Sequence, residues 1–259
     1  MTQPDQVLVR RHGGTAVLTL NAPRRRNVLS AELVAAVGRA MDEIESDPDA
    51  RAVVVTGAGP AFCAGAELST LQAAADGEFD RVRVVYDGFL RILRSPLVTI
   101  AAVNGPAVGA GFNLALACDV RLAGDSALFD TRFAQLRIHP GGGHLWLLTR
   151  AVGAQRATLA AVFGEQWDAQ AALAAGLVAA VHPSDALVAA AVDLGRRLDG
   201  QEAAYTRRLV QSTRESLSTL RHAEALARET EAQHWSTGRP AFRQGVADLL
   251  AALARRRAG

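Results

Sequence analysis

The sequence predicts an α/β fold whose first half alternates strands with helices and whose last third is helical. Short β-branched runs such as Ala52–Thr56 end in Gly/Pro-rich turns, as buried strands do. Amphipathic runs of helical length lie between them, and after Gly141 helical periodicity dominates, with one short strand at Leu177–His182. We therefore expect an α/β core with parallel strand pairing over residues 1–195 and a helical C-terminal region over residues 196–259.

The individual elements follow from local signals along the chain. Gly13-Gly14 between Val7–Arg11 and Ala16–Leu20 predicts a β-hairpin. Ser30 is a good N-cap for an amphipathic helix from Ala31 to about Ser46. The later elements expected in chain order are a helix over Arg81–Ser95, strands at Leu97–Val103, Val120–Ala123 and Ala127–Phe129, and helices over Ser184–Leu198, Glu202–Leu220, His222–Trp235 and from about Phe242 to Arg255.

Composition excludes several classes of function. With 259 residues and 49% hydrophobic content, the chain can bury a large core. A net charge of +2 and an aromatic content of 5% argue against nucleic-acid binding. The sequence contains no lysine, which excludes lysine Schiff bases and a P-loop. Cys63 and Cys118 lie in apolar surroundings, so we expect two buried thiols, with no metal site and no cofactor.

The sequence also indicates where the protein works. No stretch is long and apolar enough to span a bilayer once its Gly, Asn and Asp breaks are counted, and the short polar segment 1–6 does not resemble a signal peptide. We therefore expect a cytoplasmic protein that does not bind membranes.

Two Gly/Ala-rich bends carry the strongest chemical signal. Gly59–Leu68 and Ala101–Gly111 combine small residues, which let a backbone approach a ligand closely, with helix starts, whose free N–H groups favour negative charge. Facing each other, they would offer two N–H donors to one oxygen, which is an oxyanion hole. The alternative is that the small residues only allow close helix–strand packing. A dinucleotide site at Gly57-Ala58-Gly59 is disfavoured because Phe62 stands where the third glycine belongs.

The same segments resemble the crotonase superfamily, which includes the enoyl-CoA hydratases and isomerases. The resemblance rests on the patterns PxFCAGAxL at 60–68, AAVNGxAxGxG at 101–111 and CDxRLA at 118–123. Further matches follow in the right order at Asn27, His139–Gly143, Ala175–Val178 with Val181–Pro183, and Phe242–Val246. The resemblance implies a crotonase-like spiral of βαβ units, a helical trimerisation region forming a homotrimer or a dimer of trimers, and an acyl-CoA thioester as ligand.

The resemblance also assigns residues to the site. It places the oxyanion donors at the backbone N–H groups of Ala66 and Ala110. Arg24, Arg25 or Arg26 would lie near the coenzyme A phosphates, which an arginine fork suits. The further substrate contacts that it implies are Ala64, Gly65, Glu67, Leu68, Ser69, Gly109, Phe133 and Gly141.

The chain departs from the family where proton transfer takes place. Hydratases of this family use two glutamates, whose counterparts here are Asn113 and Phe133. Hydration needs a base and an acid, and neither side chain titrates. Asp130 and His144 are candidate replacements, but the sequence favours a different interpretation of Asp130, as a polar residue that ends a short strand. His144 is equally a first-turn surface residue, and a helix N-terminus would keep it neutral.

Three functions remain open at this point. The first is an acyl-CoA enzyme in which the oxyanion hole stabilises an enolate while His144, Asp130 or water held by Asn113 moves the proton. The second is a non-catalytic acyl-CoA carrier or regulator, favoured by the missing carboxylates and the apolar Phe133. The third is a different crotonase reaction, such as thioester hydrolysis or decarboxylation.

Overall fold

The computed structural model describes residues 5–201, 203–216, 230, 234, 237–238 and 240–258. Its strands are β1 Val7–His12, β2 Thr15–Leu20, β3 Ala52–Gly57, β4 Val98–Val103, β5 Pro106–Val108, β6 Val120–Gly124, β7 Leu128–Asp130, β8 Trp167–Asp168 and β9 Ala180–His182. Its helices are α1 Ala31–Glu45, α2 Leu68–Ala75, α3 Asp80–Leu93, α4 Ala110–Leu116, α5 Phe133–Leu136, α6 His144–Ala161, α7 Ala169–Ala174, α8 Leu187–Arg196, α9 Ala203–Ser216 and α10 Pro240–Ala258.

The main sheet has the strand order β1-β2-β3-β4-β6-β9. Only the β1–β2 hairpin is antiparallel, and every other neighbouring pair is parallel. The predicted α/β fold with parallel pairing is therefore confirmed. Parallel neighbours require crossover connections, and α1 and α3 supply them on the way to β3 and β4.

A second sheet of three short strands, β5-β7-β8, positions the bends of interest. β5 and β7 are parallel, and an isolated bridge between Cys63 and Ala107 attaches the first bend to β5. The sequence analysis predicted β7 to within a residue but not β5 or β8. Two- and three-residue strands carry too little alternation to be told from turns.

Alternating residues of the main sheet bury opposite faces. Val54 and Ile100 point to α8, where Leu187 and Ala191 cover them. Neighbouring side chains such as Val53 point to the other face and join the larger core beneath α1, α3 and α4. The sheet is therefore covered on both faces, as parallel sheets are. Each fully buried aliphatic side chain stabilises the fold by roughly 1.5–3 kcal/mol relative to the same side chain in water.

The bounds of α1, α3, α8 and α10 agree with the sequence prediction within three residues, whereas the sequence analysis predicted no bounds for α2, α5, α6 and α7. Ser30 caps α1 as expected, its hydroxyl accepting a hydrogen bond from the N–H of Leu33 at 3.3 Å. The strand expected at Leu177–His182 is shorter, because only its last three residues pair with β6. Cys63 and Cys118 are buried free thiols, as predicted.

The C-terminal region is helical where the structure describes it. Arg214 of α9 binds Asp119 through Nε at 2.8 Å and Nη2 at 2.7 Å, and this pair fastens α9 beside β4. α10 packs its Phe242 and Val246 against the short helix α5. The helix expected over His222–Trp235 falls almost entirely outside the described residues, and the division of the chain at residue 195 stays a prediction.

Two absences concern the described residues only. None of their helices combines the length and the apolar character that crossing a bilayer requires. No group of three or more His, Cys, Asp or Glu side chains among them is arranged to hold a metal ion.

Candidate active site

The two Gly/Ala-rich bends lie side by side, held by backbone hydrogen bonds. The N–H of Cys63 donates to the carbonyl oxygen of Pro106 at 3.1 Å, and the N–H of Val108 donates to that of Cys63 at 3.0 Å. On its other side, the first bend accepts a hydrogen bond from the N–H of Leu29 at the carbonyl oxygen of Gly65, at 2.8 Å. The first bend is therefore fixed like a short strand between residue 29 and β5.

Glycines allow the bends to approach this closely. Gly65 has a φ of 101°, and a Cβ there would lie 2.8 Å from the carbonyl oxygen of Val108 and 3.8 Å from the amide nitrogen of Ala110. A Cβ at Gly111 would overlap the carbonyl oxygen of Cys63. The small residues therefore do allow close packing, as the alternative interpretation of the sequence expected, and this packing brings the two bends together.

Two backbone donors are left over where the bends meet. The N–H groups of Ala66 and Ala110 donate no hydrogen bond to any described residue. Ala110 is the first residue of α4, where the amides have no acceptor within the helix. The neighbouring N–H of Gly109 is occupied, since it donates to the carbonyl oxygen of Asp130 at 2.9 Å. Ala66 and Ala110 both line one cavity, so two free donors face the same space.

That cavity has a volume of about 770 Å³. Its lining includes every residue that the resemblance assigned to substrate, from both bends and from the segments around them: Arg24, Arg26, Ala64, Gly65, Glu67, Leu68, Ser69, Gly109, Phe133 and Gly141. The sequence analysis missed Tyr86 and Val82 from α3 and Leu249 and Leu253 from α10. The α3 residues form a helical face, a signal present in the sequence, but only the tertiary fold brings α10 to the cavity.

Three exposed arginines, Arg24, Arg25 and Arg26, border the cavity, and we call them the basic rim. They lie on a 3₁₀ turn and its C-cap, directly before the buried Asn27. The Arg25 guanidinium forms an ion pair with Glu67 at 2.7 Å.

Asn27 fastens this segment to the end of β3. Its Oδ1 accepts a hydrogen bond from the N–H of Ala22 at 2.9 Å. Its Nδ2 donates to the carbonyl oxygens of Ala58 and Ala61, each at 2.9 Å. An asparagine with a φ of 55° and no solvent exposure thus joins the segment of the basic rim to the loop that follows β3.

Asn113 lines the cavity one helical turn after Ala110, and His144 lies behind it. The Asn113 side chain donates from Nδ2 to the carbonyl oxygen of Gly141 at 3.2 Å, and its Oδ1 lies 2.5 Å from Nδ1 of His144. His144 is fully buried, with its ring against the edges of Phe112 and Phe133. Burial lowers the pKa of His144 from 6.5 to about 3, so the imidazole is neutral at physiological pH.

Asp130 is occupied by other groups. Its Oδ1 accepts from the N–H of Arg132 at 2.7 Å, and its Oδ2 accepts from Nε2 of Gln166 at 2.8 Å. The same Oδ2 forms an ion pair with Nη2 of Arg132 at 2.6 Å. Asp130 is 1% exposed and does not belong to the described lining.

The cavity wall therefore separates the two free backbone donors from the two ionisable side chains predicted from the sequence. The two free N–H groups face the cavity, whereas Asp130 and His144 both lie behind its wall. Among the described lining residues, Glu67 carries the only carboxylate, and Arg25 neutralises it. The site is built to hold an anionic or polarised oxygen, with apolar Phe133 and the amide of Asn113 beside it.

Comparison with known proteins places this geometry in context. Residues 10–250 match the family model described as enoyl-CoA hydratase/isomerase. The chain is 51% identical over 195 residues, 75% of each sequence, to a Mycobacterium tuberculosis protein named "Probable enoyl-CoA hydratase EchA14". It is 32% identical over 243 residues, 92% of each sequence, to 1,2-epoxyphenylacetyl-CoA isomerase of Escherichia coli. A crystal structure of an enoyl-CoA hydratase from Mycobacterium avium subsp. paratuberculosis superposes with a TM-score of 0.81 at 31% identity, over 95% of this chain and 100% of that one.

Proposed function

This chain belongs to the enoyl-CoA hydratase/isomerase family, and on that premise we propose that it binds an acyl-CoA thioester with the carbonyl oxygen between the N–H groups of Ala66 and Ala110. The observation that carries the proposal is the pair of unoccupied backbone donors lining one cavity. The basic rim supports an orientation of the ligand with its coenzyme A phosphates at the arginines. Arginine binds phosphate bidentately, and the rim borders the same cavity as the two backbone donors. No separate cofactor takes part, because coenzyme A belongs to the ligand.

Such a site stabilises an enolate. Two fixed donors bind an oxygen more strongly as negative charge develops on it, and removing one typically slows a reaction on the order of a hundredfold or more. Polarising the thioester carbonyl in this way acidifies the protons on the carbon next to it. Water in the cavity, rather than Asp130 or His144 directly, then accepts and returns the proton, since neither side chain belongs to the described lining.

A non-catalytic acyl-CoA carrier or regulator is the second candidate. The observation in its favour is that apolar Phe133 and neutral Asn113 line the cavity, at the positions that the resemblance assigns to the two glutamates of the hydratases. An apolar cavity with a few polar anchors binds a thioester without turning it over.

Deuterium exchange separates the two candidates. Purified protein is incubated with butyryl-CoA in D₂O, and mass spectrometry follows deuterium entering the carbon next to the thioester. We expect exchange above the protein-free rate, because the two backbone donors make the carbon next to the thioester more acidic, while D₂O takes the proton and returns a deuteron to the enolate. Calorimetric binding without exchange would establish the carrier instead. The absence of binding would refute the proposed function.

The same incubation tests the remaining family reactions. Thioester hydrolysis releases a free thiol that a colorimetric reagent detects, and decarboxylation of malonyl-CoA produces acetyl-CoA. We expect neither, because the described lining offers no unpaired carboxylate or neutral histidine to activate a water molecule.

Assembly and location are proposed on the family alone. We expect a homotrimer or a dimer of trimers, and the exposed Tyr205 and Leu209, four residues apart on α9, are suited to a subunit contact. Light scattering after gel filtration measures the mass and tests this. A cytoplasmic location stays a prediction.

A further inference from the structure

The amide of Asn113 has only one favourable orientation. The carbonyl oxygen of Gly141, 3.2 Å away, can only accept a hydrogen bond, so it requires the NH₂ end of the amide. Turning the amide over would bring two acceptor oxygens together in a buried place. Oδ1 therefore faces Nδ1 of His144 at 2.5 Å.

This orientation also decides which nitrogen of His144 carries the proton. Oδ1 of Asn113 can only accept, so Nδ1 of His144 must be the donor. The other nitrogen, Nε2, is buried and has no partner among the described residues. The ring cannot turn freely, because the edges of Phe112 and Phe133 lie against it at ring-centroid distances of 5.6 and 5.0 Å. His144 thus holds the Asn113 amide in place from behind.

With its oxygen held by His144, Asn113 has one N–H left. An NH₂ group donates twice, and the carbonyl oxygen of Gly141 takes only one of those hydrogen bonds. Asn113 is 2% exposed, yet it lines the cavity, so the second N–H is a donor that water reaches poorly. Phe133 lines the same cavity and packs against His144, and its ring lowers the local polarity, which strengthens any hydrogen bond made there.

The spacing on α4 indicates which atom of a ligand this donor would meet. Asn113 follows Ala110 by three residues, so the two lie on the same face of the helix, about 4.5 Å apart along its axis. Carbonyl oxygens on the first and third carbons of an acyl chain are separated by a few ångströms. A ligand whose thioester oxygen binds Ala110 therefore places an oxygen on its third carbon near the Asn113 amide.

We propose that Asn113 is a specificity-determining residue that donates a hydrogen bond to a carbonyl on the third carbon of the acyl chain, and that His144 is the positioning residue that fixes the Asn113 amide. The ligand class is then a 3-oxoacyl-CoA thioester. This inference rests on the proposed function, since it requires the thioester oxygen to lie at Ala66 and Ala110.

Calorimetry with two ligands tests the inference on the unaltered protein. 3-Oxobutyryl-CoA and butyryl-CoA differ in the oxygen in question, which also makes the carbon between the two carbonyls more acidic. Both affinities are therefore measured at several pH values, and a preference that rises with pH would show binding as the enolate and overturn the inference. We expect 3-oxobutyryl-CoA to bind about tenfold more tightly, the upper range for one hydrogen bond between neutral groups. Equal affinities would overturn the inference and leave the proposed function standing, whereas binding of neither ligand would refute both.

Substitution of Asn113 identifies the donor. Asn113→Asp keeps an oxygen acceptor for Nδ1 of His144 but has no N–H, so the preference for 3-oxobutyryl-CoA should disappear. Asn21→Asp makes the same chemical change outside the described cavity lining, where Nδ2 donates to the carbonyl oxygen of Asp5 at 2.8 Å, and should leave the preference intact. A tenfold preference that survives in Asn113→Asp would overturn the assignment. If Asn113→Asp does not fold, the comparison of the two ligands on the unaltered protein still decides.

The positioning role of His144 has its own readouts. In His144→Phe the Asn113 amide loses its fixed oxygen partner, and we expect the tenfold preference to fall to about twofold. On the unaltered protein, ¹⁵N NMR of the imidazole reports which nitrogen is protonated, and we expect protonated Nδ1 with bare Nε2. A protonated Nε2, or a full preference in His144→Phe, would refute the positioning role.

Discussion

Replacing His144 with phenylalanine should remove an acid sensitivity from the fold. Burial lowers the pKa of His144 from 6.5 to about 3, because the charged imidazolium would lose its hydration among aromatic rings. The unfolded chain therefore binds a proton in a pH range where the folded protein does not. Above pH 6.5 both states are neutral at His144, and the folded protein has its full stability. As the pH falls from 6.5 towards 3, protonation of the unfolded chain progressively lowers the free energy of unfolding.

The size of the effect follows from proton linkage. One proton bound by the unfolded state but not by the folded state costs about 1.4 kcal/mol per pH unit. Between pH 7 and pH 5 the folded protein should thus lose roughly 2 kcal/mol through His144, and roughly 4–5 kcal/mol across the whole range down to pH 3. His144→Phe should lose none of this, although its stability at pH 7 is lower because Oδ1 of Asn113 has lost its donor.

Guanidinium unfolding followed by tryptophan fluorescence measures the free energy of unfolding at each pH from 7.5 to 4.5. Protonation of carboxylates contributes to both proteins, so only the difference between the two slopes is interpreted. Phe129→Leu alters a fully buried ring that packs on Phe112 and removes no titratable group, so it serves as the control, with a slope like that of the unaltered protein. Equal slopes in the unaltered protein and in His144→Phe would refute the description of His144 as an enclosed neutral imidazole.

Three further predictions concern the site. Gly111→Ala would place a methyl group on the carbonyl oxygen of Cys63 and separate the bends, so butyryl-CoA affinity should fall at least tenfold by calorimetry, whereas Gly38→Ala in α1, where a Cβ meets nothing, should leave it unchanged. Replacing all three arginines of the basic rim by glutamine should weaken coenzyme A binding on the order of tenfold or more and flatten its salt dependence; an unchanged Kd would remove the rim from the phosphate site. The double variant Asn113→Glu, Phe133→Glu places two carboxylates beside intact backbone donors. Crotonyl-CoA hydration, followed by absorbance at about 263 nm, should rise at least tenfold over the unaltered protein. Hydration no faster than in either single variant would show that the donors are misplaced.

The sequence was informative about the two bends because their requirements are local. Gly65 and Gly111 indicate that another backbone segment comes close at these positions. The strand before each bend indicates the direction in which the chain enters it. The hairpin, α1 and the parallel strands β3 and β4 were equally predictable, since the apolar pattern of each spans five residues or more.

The directions of single side chains were not predictable. Asp130 ends a three-residue strand, and only the position of Arg132 and Gln166 shows that its carboxylate is occupied. His144 follows Gly142 and Gly143, whose φ values of 70° and 81° turn the chain so that the imidazole enters the core instead of solvent. Both outcomes depend on contacts between residues distant in sequence, which periodicity does not encode.

Asn27 has a consequence for how the basic rim recognises a phosphate. The arginines stand on a short irregular segment, which would ordinarily sample many conformations, but the amide of Asn27 binds backbone groups on both sides of it. Association with an anion therefore restricts only the arginine rotamers, about 0.5–1.5 kcal/mol for each immobilised side chain, while the main chain beneath them has already been ordered during folding. In this way a buried amide reduces the conformational entropy that is lost on binding, although it does not contact the ligand.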